Sequence, residues 1–279
     1  MPIPNILYHY CRNESLIHIV NGKILFLTSV TGANDYEETR RARPYIIERL
    51  KLHSIGAKNT WMNRLLELFD INDRIPFVLC FSENGDQLSQ WRGYADDGQG
   101  VSIGFFMPSL SLPQRLPLSY ASPEQAIGID KVIYDEGIQK GIVDRLVDEY
   151  VKAVAVNPST MDNRAIETIL QLRQFSLIFK NPGFIEENEW RIIHTPMPYS
   201  SPGEPMKLMG AIGNRTSRII KNSIVTSIPL KLNWANGQEP IAEVFLGPKN
   251  KTHPFDLVNL FHENGLNNVE FKRSKTTYR

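Results

Sequence analysis

The chain has 279 residues, of which 42% are hydrophobic and 22% charged, and its formal net charge at pH 7 is +1. This is ordinary globular composition, and the balanced charge excludes a uniform surface field that would favour nucleic acid or an anionic membrane. Two cysteines, Cys11 and Cys80, are too few for a disulfide framework or a cysteine zinc site, so we expect buried free thiols.

Apolar periodicity and turn residues divide the chain into strands and helices. In chain order, the predicted elements are a strand over 5–11, a helix over 14–22, a strand over 23–29, helices over 42–56 and 60–70, strands over 75–83, 100–106 and 127–135, helices over 136–156 and 161–180, strands over 185–193, 223–232 and 241–247, a helix over 253–264 and a strand over 268–273. With no repeat or linker between them, they predict one mixed α+β domain over 1–279, with a helical insertion at about 136–180.

The first candidate site residue is His9, which lies between Tyr8 and Tyr10 in the opening strand. Alternation along a strand places the His9 side chain on the opposite face from both tyrosines. A lone histidine in a strand is more often structural than functional, so the pattern leaves both interpretations open.

A second group of candidates follows the buried strand that ends at Ser82. The next segment carries Gln90, Trp91, Arg92 and Tyr94 close together. Trp91 offers a flat face for stacking and Arg92 a planar cation for phosphate, so we expect Trp91 and Tyr94 to line or cap a cleft. The alternative is a loop anchored by Trp91 in the core, with Arg92 in solvent.

The third group is the stretch IEENEWRII, residues 185–193. In a strand, Glu187, Glu189 and Arg191 would share one face and Trp190 the other. Two like charges on one face destabilise a strand unless something uses or neutralises them. Paired carboxylates beside a cation suit a site that handles developing positive charge. The alternative is an edge strand whose charged face lies in water.

Several ordered motifs resemble a bacterial family. They are LYHYC, then CFSE followed by QW.GYAD.G.GVSIGF, then K with F..E.EWR, then LGP, and finally a terminal S with YR. In this order they resemble the domain of unknown function numbered 2971, over nearly the whole chain from Leu7 to Arg279. The family label implies no activity.

A more distant resemblance is to ADP-ribosyltransferases, through an early Tyr-His strand, a strand ending in a small polar residue and a late E-x-E strand. It implies a split β-sheet core, with two small sheets around an NAD-binding cleft. It also implies that His9 orients a ribose, and that Glu189 or Glu187 holds the ribose hydroxyl and stabilises an oxocarbenium-like transition state.

The same resemblance implies which residues contact NAD. Trp91 or Tyr94 would stack on nicotinamide, and Arg191 would keep the two carboxylates ionised. The full set of candidate NAD-binding residues is His9, Tyr10, Ser82, Trp91, Arg92, Tyr94 and Arg191.

The pyrophosphate of NAD requires cations or backbone N–H donors. No G-x-G-x-x-G or P-loop motif occurs, which argues against a Rossmann dehydrogenase and a P-loop NTPase. The candidate cations are Arg12, Arg40, Arg41 and Arg92.

The leading hypothesis is therefore an NAD-consuming ADP-ribosyltransferase-like enzyme that modifies a protein, a nucleic acid or a small molecule. The resemblance implies a bacterial toxin or phage-defence effector, with partner proteins from a defence operon. One alternative is a Mg²⁺-dependent nuclease that uses Asp35, Glu37, Glu187 and Glu189, and the other is a non-catalytic nucleotide-binding sensor.

No signal peptide or long apolar run is seen, so we expect a cytoplasmic protein that does not enter a membrane.

Overall fold

The computed structural model describes residues 1–30, 41–53, 58–70, 75–117, 122–201, 203–204, 206–220, 222–232 and 239–278. The predicted candidates Asp35, Glu37 and Arg40 lie outside these ranges.

The described chain contains the following helices and strands. The helices are α1 (Asn13–Gly22), α2 (Ala42–Leu52), α3 (Lys58–Asp70), α4 (Leu88–Tyr94), α5 (Met107–Leu110), α6 (Glu136–Val156), α7 (Met161–Ser176) and α8 (Pro254–Glu263). The strands are β1 (Ile6–Cys11), β2 (Ile24–Ser29), β3 (Phe77–Ser82), β4 (Val101–Phe106), β5 (Ile127–Lys131), β6 (Glu189–His194), β7 (Met197–Tyr199), β8 (Lys207–Met209), β9 (Thr216–Ile220), β10 (Ser223–Lys231), β11 (Ile241–Leu246) and β12 (Glu270–Arg273).

Ten of these strands form one sheet that branches at β3. The main order is β12-β11-β4-β1-β3-β2-β10-β9, and β6 joins β3 to β5. All pairs are antiparallel except β11 with β12. The predicted α+β class is confirmed. The prediction of two separate small sheets is wrong, because β3 connects the strands on both sides.

The branch arises because β1 and β2 share one edge of β3. Strand β6 pairs with β3 along its whole length, from Phe77 to Ser82. On the other edge, β1 pairs only at Ser82, and β2 pairs only at Phe77 and Val78. The middle of β3 is therefore left without a neighbouring backbone on that side, and side chains fill the gap.

Helices cover both faces of the sheet. Helices α1 and α8 pack on one face with apolar side chains of β1, β3 and β4. Helices α2, α3, α6 and α7 form a layer on the other face, in a second apolar cluster that includes Ile193 of β6. The predicted helical insertion thus consists of α6 and α7, which pack against α2 and α3.

Two predicted boundaries near β6 are wrong. Helix α7 ends at Ser176, because the chain then pairs with the segment after β5: Lys180 N–H donates to the Ile133 carbonyl at 3.1 Å. The predicted strand over 185–193 begins only at Glu189. A 3₁₀ helix over Pro182–Glu187 precedes it, and Asn188 turns the chain with a φ of 44°.

The short elements β7, β8, β9, α4 and α5 are absent from the sequence-based prediction. They contain three to seven residues each, and helical or strand periodicity needs a longer window to be recognised.

Two isoleucines one turn apart in α7 test the helical layer. Ile169 is 3% exposed, whereas Ile166 is 44% exposed. We expect Ile169→Ala to lower the free energy of unfolding by about 2–5 kcal/mol, because it leaves a cavity in a packed core. Ile166→Ala serves as the matched control and should change it by less than about 0.5 kcal/mol. Urea denaturation at equilibrium measures both, and equal losses would contradict this packing.

Candidate functional site

A cavity of about 80 Å³ lies at the branch of the sheet, between β1, β3, α4 and the start of β6. It is lined by Tyr8, His9, Tyr10, Cys80, Phe81, Gln90, Tyr94, Glu187 and Glu189. Five of the predicted site residues, from widely separated stretches of sequence, therefore meet at one place. These are His9, Tyr10, Tyr94, Glu187 and Glu189.

His9 occupies the gap that β1 and β2 leave on the edge of β3. Its Nδ1 lies 3.0 Å from the Cys80 carbonyl oxygen. A carbonyl can only accept, so Nδ1 carries the hydrogen and Nε2 is left as an acceptor. Burial lowers the pKa of His9; the bond to Cys80 opposes this and the positive charge of Arg218 adds to it. His9 is therefore a neutral imidazole near pH 7.

Four buried charged residues cluster beside the cavity at the start of β6, and two of them, Glu187 and Glu189, line it. Lys180, Glu187, Glu189 and Arg191 are 2%, 7%, 4% and 3% exposed. Lys180 Nζ lies 2.5 Å from Glu187 Oε2 and 2.9 Å from Glu189 Oε2. Two cations thus balance two carboxylates away from water, which is the arrangement that buried charges require. The alternative of a solvated edge strand is wrong, because β6 lies between β3 and β5.

Glu189 is the most tightly held carboxylate of this cluster. Arg191 Nε donates to Glu189 Oε1 at 2.6 Å, and Arg191 Nη2 donates to Glu189 Oε2 at 3.1 Å. Burial by itself would raise the pKa of Glu189, but Arg191 and Lys180 lower it to about 2. Arg191 is fixed in turn, because its Nη1 donates to the Leu177 carbonyl at 2.8 Å. The predicted role of Arg191 in keeping Glu189 ionised agrees with this geometry.

Glu187 reaches the cavity from the 3₁₀ helix and not from the strand. The prediction that Glu187 and Glu189 lie on the same face of one strand is therefore wrong. Ser82 holds the Glu187 backbone, because Ser82 Oγ donates to the Glu187 carbonyl at 2.7 Å. Glu187 Oε1 accepts only a long bond of 3.3 Å from the Tyr94 hydroxyl among the described residues. This oxygen is the least constrained carboxylate oxygen in the cluster.

Tyrosines form the opposite side of the cavity. The Tyr8 hydroxyl donates to Glu243 Oε1 at 2.5 Å, and Lys272 binds the same carboxylate. Burial raises the pKa of Tyr8, and the bond to Glu243 raises it further. A Cβ atom at Gly85 would lie 2.4 Å from the Tyr8 ring, so the chain needs glycine there to leave room for that ring.

Tyr10 and Trp91 anchor the helix α4 on β1. The Tyr10 hydroxyl donates to the Asn84 carbonyl at 2.8 Å and accepts from Gln87 N–H at 2.9 Å. Trp91 is 0% exposed, and its ring contacts that of Tyr10 with centroids 4.8 Å apart. Trp91 Nε1 donates to Asp86 at 2.7 Å. Trp91 therefore has no open face, and the alternative of a core tryptophan is the one that the structure supports.

The predicted phosphate cations are placed elsewhere. Arg92 is exposed and lies 5.8 Å from the centre of the Tyr278 ring. Arg41 donates to Glu136 at 2.6 Å, and Arg12 lies 3.6 Å from Asp96. None of these three lines the cavity.

The charges that sequence reasoning missed are Lys180, Glu243 and Lys272. The sequence does contain a signal for Lys180, because this lysine follows the apolar run LIF and begins the motif that ends in EWR. Nothing in the sequence around Glu243 and Lys272 connects them to Tyr8. The pairing of β4 with β1 and β11 makes that contact.

A metal site of the predicted kind is not formed by the described residues. Among them, no group of three or more His, Cys, Asp or Glu side chains is placed to hold a metal ion. Two of the four predicted ligands, Glu187 and Glu189, bind Lys180 instead. The other two, Asp35 and Glu37, are outside the described ranges.

The fold and the cavity define a mixed α+β protein with a polar site at a branched sheet. Residues 90–192 match the model of the family described as "Protein of unknown function (DUF2971)", which confirms over this range the family resemblance that the motifs indicated. The matched range includes most of α4 and most of β6, and it leaves out β1 with His9. No curated protein and no solved structure matches the chain. In the described part of the chain, no helix is long and apolar enough to cross a membrane.

Trp91 and its neighbour Arg92 test whether the tryptophan belongs to the core. We expect Trp91→Ala to lower the free energy of unfolding by about 3–5 kcal/mol, because its ring is fully buried. Arg92→Ala is the control at an exposed position and should change it by less than about 0.5 kcal/mol. Both values come from urea denaturation, and a stable Trp91→Ala variant would return Trp91 to the list of ligand-contacting residues.

The buried charges predict a specific loss of stability in acid. The pKa of Glu189 is lowered to about 2 from an ordinary value of 4.5, so its contribution is present above about pH 4.5 and is lost as the pH falls towards 2. Glu189→Gln should lower stability at pH 7 by about 3–5 kcal/mol, because Arg191 and Lys180 lose their anion. It should also flatten the pH dependence between 4.5 and 2.

The control for the acid experiment is Glu167→Gln, since Glu167 pairs with Arg164 on the surface. Its unfolding free energy should follow that of the unmodified protein at every pH. If Glu189→Gln does the same, the buried pairing makes no net contribution.

Proposed function

We propose that this protein is an NAD-consuming, ADP-ribosyltransferase-like enzyme, and that the cavity at the branch of the sheet is its reaction site. One observation carries the proposal: His9 of β1, Glu187 of the 3₁₀ helix and Glu189 of β6 line the same cavity. Had His9 and Glu189 faced opposite surfaces, no common site would exist. The resemblance to ADP-ribosyltransferases requires this meeting of an early histidine and a late glutamate.

The proposed reaction breaks the bond between nicotinamide and ribose. The electron pair of that bond leaves with nicotinamide, and positive charge develops on the ribose. The acceptor then forms a bond to the ribose carbon and loses a proton. A fixed carboxylate beside the ribose stabilises the developing charge, which is the largest single contribution in many enzymes.

The geometry assigns different roles to the two glutamates. Both oxygens of Glu189 are bound by Arg191, and one also by Lys180, so Glu189 acts as a positioning residue. Among the residues that the structure describes, Glu187 Oε1 accepts only the long bond from Tyr94. We therefore propose that Glu187 contacts the ribose. Nε2 of His9 would accept a hydrogen bond from a ribose hydroxyl.

The size of the cavity limits how NAD could bind. Pockets for drug-sized ligands have about 300–1,000 Å³, whereas this cavity has about 80 Å³. Only the reacting end of a dinucleotide would fit, and the rest would lie outside it. Tyr94 stands at the mouth with 47% of its surface exposed, and its ring is the side chain that would move to admit nicotinamide.

The wider biological role is part of the same proposal. The acceptor is a protein, a nucleic acid or a small molecule, and the chain acts as a bacterial toxin or phage-defence effector in the cytoplasm, with partner proteins. Sequence resemblance alone supports this part.

Glu187 and its exposed neighbour Glu186 provide the test. We expect Glu187→Gln to lower the rate of nicotinamide release from NAD by roughly 10²–10³-fold, because it removes the charge beside the ribose. Glu186→Gln is the matched control and should retain the full rate, since Glu186 is exposed. Melting temperatures on the same preparations separate catalysis from folding.

Three outcomes distinguish the candidate functions. Unchanged nicotinamide release in Glu187→Gln would remove Glu187 from the mechanism. Binding of NAD without release would favour the non-catalytic sensor. That function is also compatible with a Glu189 whose charge is balanced by Arg191 and Lys180. Cleavage of nucleic acid with Mg²⁺, and no reaction with NAD, would favour the nuclease.

A further inference from the structure

A second cavity of about 50 Å³ lies on the other side of His9, between α1 and β2. Its polar lining consists of His9, Ser15, His18 and Arg218. The two cavities share His9, so they lie on either side of one side chain in the gap of the sheet. A water molecule occupies about 30 Å³ in the liquid, so this cavity suits one small polar group and not a ring system.

Arg218 is the cation of this cavity, and it forms no ion pair within the described ranges of the chain. It comes from β9, and its guanidinium carbon lies 4.1 Å from the centre of the Phe26 ring on β2. Burial lowers the pKa of Arg218, and within the part of the chain that the structure describes no charged group counteracts this. By contrast, Arg41, Arg43 and Arg49 each donate to a carboxylate.

A half-buried cation that forms no ion pair with the described residues is poised to bind an external anion. Taking a charge out of water destabilises the fold unless a partner compensates it. The guanidinium presents N–H donors in a fixed plane that matches the oxygens of a phosphate. The guanidinium lies over the face of the Phe26 ring, and this cation–π contact favours its charged form.

The other polar groups of the cavity complete the recognition. No hydrogen bond to the Ser15 hydroxyl or the His18 ring is formed by the residues that the structure describes. Both can donate to phosphate oxygens. Nε2 of His9 is an acceptor, because Nδ1 donates to Cys80. A ligand that fits has phosphate oxygens for Arg218 and a hydroxyl donor for His9, which is the chemistry of a sugar phosphate within a nucleotide.

We propose that the Arg218 cavity binds a phosphate group of a nucleotide, whose sugar lies against His9 and whose other end enters the larger cavity at Glu187. This inference rests on the proposed function for the placement of the second end. The phosphate contact itself depends only on Arg218, Ser15 and His18.

The test measures binding of three probes by isothermal titration calorimetry. Inorganic pyrophosphate and ADP-ribose contain phosphate, whereas nicotinamide riboside does not. We expect Arg218→Gln to weaken binding of both phosphate-containing probes by roughly 10–100-fold, since it removes a charge-assisted hydrogen bond. Binding of nicotinamide riboside should change by less than about 2-fold, because it makes no such bond.

Two further variants serve as controls. Arg215→Gln changes an exposed arginine that donates to the Met206 carbonyl outside the cavity, and it should leave all three affinities unchanged. Arg218→Lys keeps the charge and loses the planar fork, so it should lie between the unmodified protein and Arg218→Gln. If Arg218→Gln does not fold, Arg218→Lys still tests whether the planar guanidinium is needed for binding.

The outcomes separate this inference from the proposed enzyme. If the unmodified protein binds neither pyrophosphate nor ADP-ribose, or if Arg218→Gln binds both as tightly, the inference is overturned. Binding that depends on Arg218, without nicotinamide release from NAD, supports the phosphate site and overturns the proposed reaction. Nicotinamide release with an unchanged KM for NAD in Arg218→Gln supports the enzyme and overturns the phosphate site.

Discussion

Strands β1 and β2 lie along the same edge of β3, and the site exists because neither pairs with the whole of that edge. Strand β6 pairs with the other edge from Phe77 to Ser82. Strands β1 and β2 each pair with only one end. The backbone groups between those ends need partners, since an unpaired buried carbonyl is costly. His9 supplies a hydrogen-bond partner for the Cys80 carbonyl. This contact places an imidazole inside the sheet, with a cavity on either side.

The charges of β6 follow from the same architecture. A strand with neighbours on both sides and a helical layer above it has no face in water. Its carboxylates must therefore be neutralised from within the fold. Lys180 does this because α7 stops at Ser176 and the chain then pairs with the segment after β5, where Lys180 N–H donates to the Ile133 carbonyl. The cluster is both a stabilising contact and a preorganised set of charges beside the cavity.

The two sides of His9 differ in electrostatic character. On the side of β6, Glu187 and Glu189 face Lys180 and Arg191, so the charges cancel. On the side of β2, Arg218 has no such counterpart among the described residues. A ligand with an anionic end would therefore find a complementary charge on the Arg218 side and a charge-balanced set of groups on the side of β6. This polarity connects the proposed reaction site with the proposed phosphate site.

The sequence by itself determined the class of fold, the main helices and strands, and the family motifs. It did so because apolar periodicity and turn residues are local signals. It also predicted that Glu189 and Arg191 share a face, since alternation in a strand is a local property. Only the tertiary structure decided that this face is buried and that Glu187 reaches it from a 3₁₀ helix. The same is true of Trp91, whose ring is enclosed by contacts with Tyr10. Burial and charge neutralisation depend on residues far apart in the chain, such as Arg218 beside His9, and no local pattern contains that information.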